Sequence, residues 1–169
     1  MGRIIIWTSV TALIFALFQA AILSNLLFLP VLPDLVLLVI VYVSFMNSST
    51  TGVTVGFISG LLLDFLSAAP IGLNTFTKTL TGFIAGKFSG SFNLSKILIP
   101  ATMGFCATIL KVSTTLILSI FFGPEILNYN ISGITFWLEL FENTASAPLV
   151  FGLLGLFSVL FTERQRSTE

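Results

Sequence analysis

The sequence predicts an all-α, polytopic membrane protein: a bundle of six transmembrane helices with both termini in the cytoplasm. Of the 169 residues, 56% are hydrophobic and 8% are charged, with a mean hydropathy of +1.08. A soluble domain carries about 25% charged residues, so this chain has too few to be one. The apolar runs are continuous and match the ~20 residues of helix that a hydrocarbon core requires. They lack the alternation over about ten residues that strands of an outer-membrane barrel show.

The whole chain, residues 1–169, is predicted to form a single integral membrane domain. Arg3 precedes the first apolar run as in a secretory signal, but the run continues to Leu29 without a small-residue cleavage pair. We therefore expect a retained helix. The six spans are placed at about 4–27, 32–50, 52–69, 72–90, 97–122 and 145–162, following the length rule for membrane helices.

Basic residues outside the spans predict the orientation. Five of them fall on one side of the membrane in this layout: Arg3, Lys87, Lys96, Arg164 and Arg166. The connections on the other side contain no Lys or Arg. Because cytoplasmic loops carry the excess of basic residues, both termini are expected in the cytoplasm.

The connection between the fifth and sixth spans is predicted to carry an interfacial amphipathic helix over about residues 132–143. Four apolar residues recur there with helical spacing, while Glu139 and Glu142 take another face; they are Ile134, Trp137, Leu138 and Phe141. The alternative is that these residues begin the sixth span. One straight helix from Ile134 to Phe161 would measure about 42 Å, so we expect a break near Asn143–Pro148.

The third and fourth spans are predicted to form a hairpin of mirrored small residues. The series at intervals of four are Gly52, Gly56, Gly60 and Asp64, then Lys78, Gly82, Gly86 and Gly90. If the chain turns at Ala69–Gly72, Gly52 lies level with Gly90. Small residues let helices approach closely in lipid. Because each step of four drifts by about 40° around a helix, we expect only about two glycine layers to touch.

Three charged residues, Asp64, Lys78 and Lys111, are predicted to form an intramembrane cluster. A charge in hydrocarbon costs about 2.5–3.5 kcal/mol, which favours pairing. Mirror symmetry places Lys78 level with Asp64, and Lys111 is the competing partner. Asp34 lies at the start of the second span. Its carboxylate either interacts with the positive end of the helix dipole or binds a partner protein.

A stripe of small residues follows the first span at every fourth position: Thr8, Ala12, Ala16, Ala20 and Ser24. Such a surface suits close contact with another helix. That helix belongs either to the same bundle or to a partner protein.

Several kinds of chemistry are excluded by composition. Without His, Ser-His-Asp and Cys-His nucleophiles are impossible, and the single Cys106 cannot form an internal disulfide or a thiolate metal cluster. The chain also has no phosphate-binding glycine motif and no basic run for nucleic acid. We therefore expect no catalytic, cofactor or metal site and no nucleic-acid partner; the lipid bilayer is the expected surrounding.

Motifs in the middle of the chain resemble the rod shape-determining protein MreD family. They are Pro33-Asp34-Leu35, Gly56-x3-Gly60-Leu-Leu-Leu-Asp64, Pro70-Ile-Gly72-Leu-Asn74 and Gly82-x3-Gly86. The resemblance covers about residues 30–90, together with length, span count and short loops. Ser67-Ala68-Ala69-Pro70 departs from the Ser-Gly-Ser-Pro turn frequent in the family.

The resemblance implies a non-enzymatic protein of the bacterial inner membrane that serves cell elongation. It implies binding to the single-span protein MreC, and through it coupling of MreB filaments to the RodA glycosyltransferase and a class B penicillin-binding protein. The implied fold is similar to the S components of energy-coupling-factor vitamin transporters. We expect the MreC helix to contact either the Ala12, Ala16 and Ala20 face or the outer amphipathic segment.

Two other functions remain open at this point. The chain is similar in size and span count to a vitamin-binding S component, which would need convergent polar and aromatic groups in an outer cavity. The other is an ion-coupled channel or carrier that uses Asp64, Lys78 and Lys111.

Overall fold

The computed structural model describes residues 2–21, 31–67, 69–91, 97–123 and 133–162. Within these ranges the chain forms helices and no strand, which confirms the all-α class. The helices are α1 (Gly2–Ala21), α2 (Leu35–Met46), α3 (Ser49–Leu66), α4 (Leu73–Lys87), α5 (Leu98–Phe122), α6 (Ile134–Leu156) and α7 (Ser158–Phe161). The end of the first predicted span and three residues used for orientation, Lys96, Arg164 and Arg166, lie outside these ranges.

Three of these helices, α1, α3 and α5, are long and apolar enough to cross a membrane. α2 is apolar but has 12 residues, and α4 has 15. Both are shorter than the ~20 residues of a full span. The structure therefore supports a membrane protein, and the count of six spans stays a prediction.

The shortest of the apolar helices, α2, lies at the centre of the bundle. Every residue from Leu35 to Phe45 is buried. Five other helices contact α2: α1, α3, α4, α5 and α6. A helix that is apolar on all sides is stable where all its sides are covered, which explains why α2 shows no polar face.

The outer surface of the bundle is apolar, and part of its interior is polar. Phe65, Ile120 and Leu149 are each at least 70% exposed, whereas Lys78 and Asn143 are fully buried. This is the reverse of a water-soluble protein. It follows from hydrocarbon as the outer solvent, because polar side chains in a membrane turn toward the bundle interior.

Contacts near the helix ends define one end of the bundle. Arg3 Nη2 donates to the carbonyl of Val159 at 2.7 Å, and Asn47 Nδ2 donates to the carbonyl of Phe161 at 2.7 Å. Ser89 Oγ in turn donates to the carbonyl of Asn47 at 2.8 Å. The start of α1, the α2–α3 connection and the ends of α4 and α7 therefore lie together.

The last long helix, α6, differs from the prediction. It runs without a break from Ile134 to Leu156 and contains Pro148. The break expected near Asn143–Pro148, and with it a separate helix over about residues 132–143, is therefore absent, and the residues from Ile134 continue directly into the last long helix. Proline is tolerated inside membrane helices because neighbouring groups satisfy the freed backbone. The helix ends instead at Phe157, just before α7.

The amphipathic pattern at the start of α6 also faces the opposite way. Trp137 and Phe141 are 61% and 70% exposed, whereas Glu139 is 2% exposed. An interfacial helix would turn its acidic face to water. In the bundle the acidic Glu139 points inward, where other polar side chains can bond it.

The remaining predicted bounds differ by a few residues. Asp34 precedes α2 instead of lying inside it, and its carboxylate accepts a hydrogen bond from the backbone N–H of Leu37. α3 begins at Ser49 because Ser48 caps it by accepting from Thr51 N. α2 and α3 thus begin where a side-chain oxygen can accept from the first unpaired N–H groups.

The hairpin of α3 and α4 is antiparallel, as expected, but its register is displaced by about two helical turns. Gly52 faces Gly82 instead of Gly90, and a β-carbon on either residue would overlap the other's carbonyl group. Gly56 faces the backbone of Lys78 in the same way. Gly90 lies in the turn after α4 with φ +73°, and a β-carbon there would meet nothing within 4 Å.

In the hairpin, the other two glycines pack against the backbone of residues that are not glycine. Gly60 lies against Asn74 and Thr75, and Gly86 lies against Ser48 and Ser49. The expected Gly56–Gly86 and Gly60–Gly82 layers are absent. A β-carbon on Gly60 or Gly86 would come within 3 Å of backbone atoms of the facing residues, and backbone atoms cannot move aside as the end of a flexible side chain can.

Candidate functional site

Four charged side chains from different parts of the chain meet inside the bundle. Lys78 Nζ, from α4, donates to Asp34 Oδ2 at 2.7 Å. Lys111 Nζ, from α5, lies 3.1 Å from the same oxygen and donates to Glu139 Oε1 of α6 at 2.6 Å. We call Asp34, Lys78, Lys111 and Glu139 the central charge cluster. Its two lysines face two carboxylates, so each ion has an opposite partner.

Uncharged groups complete the bonding around Asp34. Its backbone N–H donates to Asn143 Oδ1 at 2.6 Å, and Asn143 Nδ2 donates to Thr108 Oγ1 at 3.0 Å. Asp34 Oδ1 accepts from the backbone N–H of Leu37 at 3.0 Å. One aspartate thus caps α2 and bonds α4, and through Asn143 it is joined to α5 and α6.

Burial makes this cluster a strong constraint on the fold. Lys78 and Glu139 are 1% and 2% exposed, and the Lys111 side chain, at 24%, is the most accessible of the four. A buried ion that loses its partner has no water to replace it. The cluster therefore holds α2, α4, α5 and α6 in one relative position.

The predicted cluster of Asp64, Lys78 and Lys111 is corrected by this geometry. Both lysines are present, but their partners are Asp34 and Glu139. Asp64 forms no ion pair with any residue that the structure describes. The two-turn register displacement is the reason, since it places Lys78 beside Gly56 instead of level with Asp64.

Sequence reasoning missed Glu139 and Asn143 as interior residues. They follow one another at an interval of four, and the fully buried Ala147 continues the same series. Residues at this interval share a helix face. The spacing of polar and small residues was therefore a usable signal for the inner face of α6.

Asp64 instead holds the start of α4. Its Oδ1 accepts from the backbone N–H of Asn74 at 2.9 Å, and its Oδ2 accepts from Gly72 N at 2.9 Å and Thr75 N at 3.1 Å. The Thr75 hydroxyl also donates to Oδ2. α4 has no side-chain cap from its own N-cap residue, Gly72. A carboxylate from α3 therefore supplies both the acceptor and the negative charge that a helix N-terminus favours.

Replacing Asp64 with alanine is expected to lower the free energy of unfolding by about 2–3 kcal/mol, because hydrogen bonds to a charged acceptor are among the stronger ones. Thermal unfolding in detergent would measure the loss. Thr75→Val is the matched control, since it removes one of the four bonds and should cost clearly less. Equal effects of the two variants would contradict the assignment of Asp64 as the main anchor.

Several motif residues lie at the start of α2, which Asp34 caps, and at the start of α4, which Asp64 binds. Pro33 directly precedes Asp34 before α2, and Pro70 lies in the turn before α4. Gly72 has φ +100°, a backbone conformation that favours glycine. Asn74 Nδ2 donates to Ser67 Oγ at 3.4 Å across the same turn. This part of the motif thus lies where α2 and α4 begin.

The alanine stripe of α1 faces the bundle interior. Ala12 and Ala16 are 2% and 8% exposed, and both belong to the hydrophobic core. α1 packs on α2 and α3, so this chain's own helices already cover these alanines. The structure therefore places Ala12 and Ala16 in internal packing, the alternative to a partner helix, whereas Ala20 is exposed at the far end of the stripe.

Two cavities lie beside α5. One of about 270 Å³ lies between the second half of α4 and the first half of α5, and Val41 of α2 also lines it. The other, about 400 Å³, lies between the α3–α4 turn and the end of α5. Both are lined almost wholly by apolar side chains, such as Phe88 and Met103 in the first and Phe76 in the second. Neither offers the convergent polar groups that a vitamin site needs.

The chain is similar to a known protein family. A family model described as rod shape-determining protein MreD matches residues 1–160 of the 169-residue chain. No curated protein and no solved structure matches it.

Proposed function

Because the chain belongs to the MreD family of rod shape-determining membrane proteins, we propose that it is a non-enzymatic scaffold of bacterial cell elongation in the inner membrane. In this role it binds MreC and helps couple MreB to peptidoglycan synthesis by RodA and a class B penicillin-binding protein. The family match over residues 1–160 is the observation that carries the proposal.

The helix-end contacts support an even number of crossings. Arg3, near the N-terminus, bonds the backbone of Val159, near the C-terminus. Both ends of the described chain therefore lie on the same side of the bundle. With Arg3 and Lys87 at that side, the excess of basic residues favours the cytoplasm. Six spans with both termini inside is the topology that we propose.

The central charge cluster supports a scaffold rather than an ion-coupled carrier. Lys78 is buried and bonded to Asp34, and Lys111 is bonded to both Asp34 and Glu139. A carrier needs its ionisable groups to exchange partners during transport. Here the same groups join four helices, so their use in holding a fixed surface for partners is the simpler role.

Affinity purification from native membranes tests this proposal. A tagged wild-type chain, extracted in mild detergent, is expected to recover MreC with RodA and the class B penicillin-binding protein. An unrelated polytopic protein with the same tag is the background control. Recovery of transporter ATPases instead would favour the S-component alternative, and recovery of no elongation protein would overturn the proposal.

A further inference from the structure

The cavity of about 270 Å³ between α4 and α5 opens on the outer surface of the bundle. We call it the α4–α5 groove; α4 lines it with residues between Thr81 and Phe88, and α5 with residues between Ile99 and Leu110. Phe88 and Cys106, two of the lining residues, are exposed. The groove is therefore reached from the side of the bundle, which borders lipid in a membrane.

The length and position of the groove match one leaflet of a bilayer. From Ile99 to Leu110, α5 rises about 16 Å, roughly half of the ~30 Å hydrocarbon core. The groove begins beside Phe88, whose neighbour Ser89 bonds the carbonyl of Asn47 at the end of the bundle where Arg3 bonds Val159. In the proposed topology that end is cytoplasmic, so the groove lies within the cytoplasmic leaflet.

The chemistry of the lining selects an apolar occupant. The hydroxyl groups of Thr81 and Thr102 donate within their own helices, to the carbonyls of Thr77 at 2.8 Å and Ile99 at 2.9 Å. The other lining residues have aliphatic, aromatic or sulfur-containing side chains. Water leaves an apolar cavity dry, and an empty cavity loses the packing contacts of its walls. An apolar chain restores those contacts.

The size of the groove favours a lipid tail over a protein helix. A helix about 10 Å across and 16 Å long fills on the order of 1,000 Å³, several times the volume of about 270 Å³ between α4 and α5. A second copy of this chain or a single-span partner would lie over the groove without filling it. An acyl chain is a narrow, flexible row of methylene groups, and the surrounding leaflet supplies it.

A basic residue at the cytoplasmic end of the groove favours an anionic lipid. Lys87 directly precedes the lining residue Phe88 and is exposed, with its Nζ 5.2 Å from the centre of the Phe83 ring. Lysine side chains near helix ends extend toward the headgroups. Basic pockets between helices on the cytoplasmic side bind anionic headgroups. A lipid with its tail in the groove therefore has its phosphate near a positive charge.

We propose that the α4–α5 groove binds one acyl chain of an anionic phospholipid from the cytoplasmic leaflet, with the phosphate beside Lys87. This lipid site goes beyond the proposed scaffold function and takes from it only the orientation of the bundle. The bound chain fills the space that α4 and α5 leave between them. The lipid composition of the membrane thus acts on the packing of these two helices.

Native mass spectrometry of the full-length chain tests the site. The protein is purified in mild detergent and mixed with equal amounts of phosphatidylglycerol and phosphatidylcholine. We expect the wild-type chain to retain a single phospholipid, with phosphatidylglycerol preferred about fivefold, as the attraction of one lysine for an anionic surface predicts. Equal retention of the two lipids, as expected of a non-specific lipid shell, would overturn the proposal, as would a second polypeptide held in place of lipid.

Filling the groove is expected to displace the lipid. Ala85→Phe places a ring in the space of the acyl chain and should lower the retained lipid to about a tenth, because a packed site has no room for both. Gly152→Phe on α6 is the matched control, since a β-carbon at position 152 would meet nothing within 4 Å. Cys106→Trp, at the exposed side of the groove, is the second filling variant if Ala85→Phe does not fold.

Removing the positive charge is expected to change which lipid is bound. Lys87→Gln should still retain a phospholipid but without preference for phosphatidylglycerol. Arg3→Gln removes a charge from the same end of the bundle, at the contact with Val159, and should keep the preference. A cooperative thermal unfolding transition shows that each variant is folded.

Two results from folded variants would overturn the proposal. One is wild-type lipid retention by a groove-filling variant, and the other is an undiminished preference for phosphatidylglycerol in Lys87→Gln. Neither result depends on the recovery of MreC, so the lipid site and the proposed function are tested separately.

Discussion

Replacing Lys78 with leucine is expected to destabilise the protein by about 3 kcal/mol, at the lower end of the ~3–5 kcal/mol that breaking a buried ion pair costs. Asp34 would lose the lysine at 2.7 Å and keep only Lys111, at 3.1 Å. Burial prevents water from solvating the released carboxylate. Thermal or denaturant unfolding in detergent, followed by circular dichroism, measures the change.

The matched control is Lys87→Leu on the same helix. Lys87 is exposed and lies over the ring of Phe83 at 5.2 Å, so its loss should have only a small effect. Equal destabilisation by Lys78→Leu and Lys87→Leu would contradict the buried pair.

A double-mutant cycle identifies the partner of Lys78. Variants of Asp34 and Lys78 should be coupled by at least ~1 kcal/mol, whereas variants of Asp64 and Lys78 should be additive within about 0.5 kcal/mol. The opposite pattern would restore the mirrored Asp64–Lys78 pair expected from sequence symmetry.

Replacing Gly52 with valine is expected to destabilise the protein by about 3 kcal/mol or more, the upper end for overpacking a core. A β-carbon at position 52 would overlap the carbonyl of Gly82 and approach Ser44 Oγ to 2.7 Å. Backbone of a facing helix cannot rotate away, so α3 and α4 would have to separate. The yield of folded protein and its unfolding temperature in detergent report the effect.

Gly155→Val on α6 serves as the control for helix propensity. A β-carbon at position 155 would meet nothing within 4 Å. The control should therefore leave the unfolding temperature nearly unchanged or raise it slightly. Gly52→Val that unfolds at the wild-type temperature would show that the helices are not in contact at this layer.

Local features of the sequence were enough for the class and the helices. The low charge content and long apolar runs predicted an all-α membrane protein, and five of the six predicted spans overlap the observed helices closely. Spacing at intervals of four correctly placed Gly52 and Gly82 on the inner faces of the hairpin. These properties depend on residues within one helix, so the sequence carries them directly.

Which charged side chains form ion pairs depends on distances in the folded chain that the sequence does not show. A turn centred on Ile71 would have put Asp64 beside Lys78. In the structure Asp64 bonds the backbone of Gly72, Asn74 and Thr75, so α4 starts beside Asp64. The later residues of α4 therefore lie farther along α3 than the mirrored register predicts, and Lys78 pairs with Asp34 instead of Asp64.

The sequence by itself determined the solvent of this protein, its helical class and the positions of its small and charged residues along each helix. The tertiary structure decided which of those residues meet. Hydropathy depends on composition alone, whereas an ion pair between Asp34 and Lys78 depends on the path of the α3–α4 turn and on the burial of α2. For the same reason only the assembled bundle showed that Ala12 and Ala16 of α1 are covered.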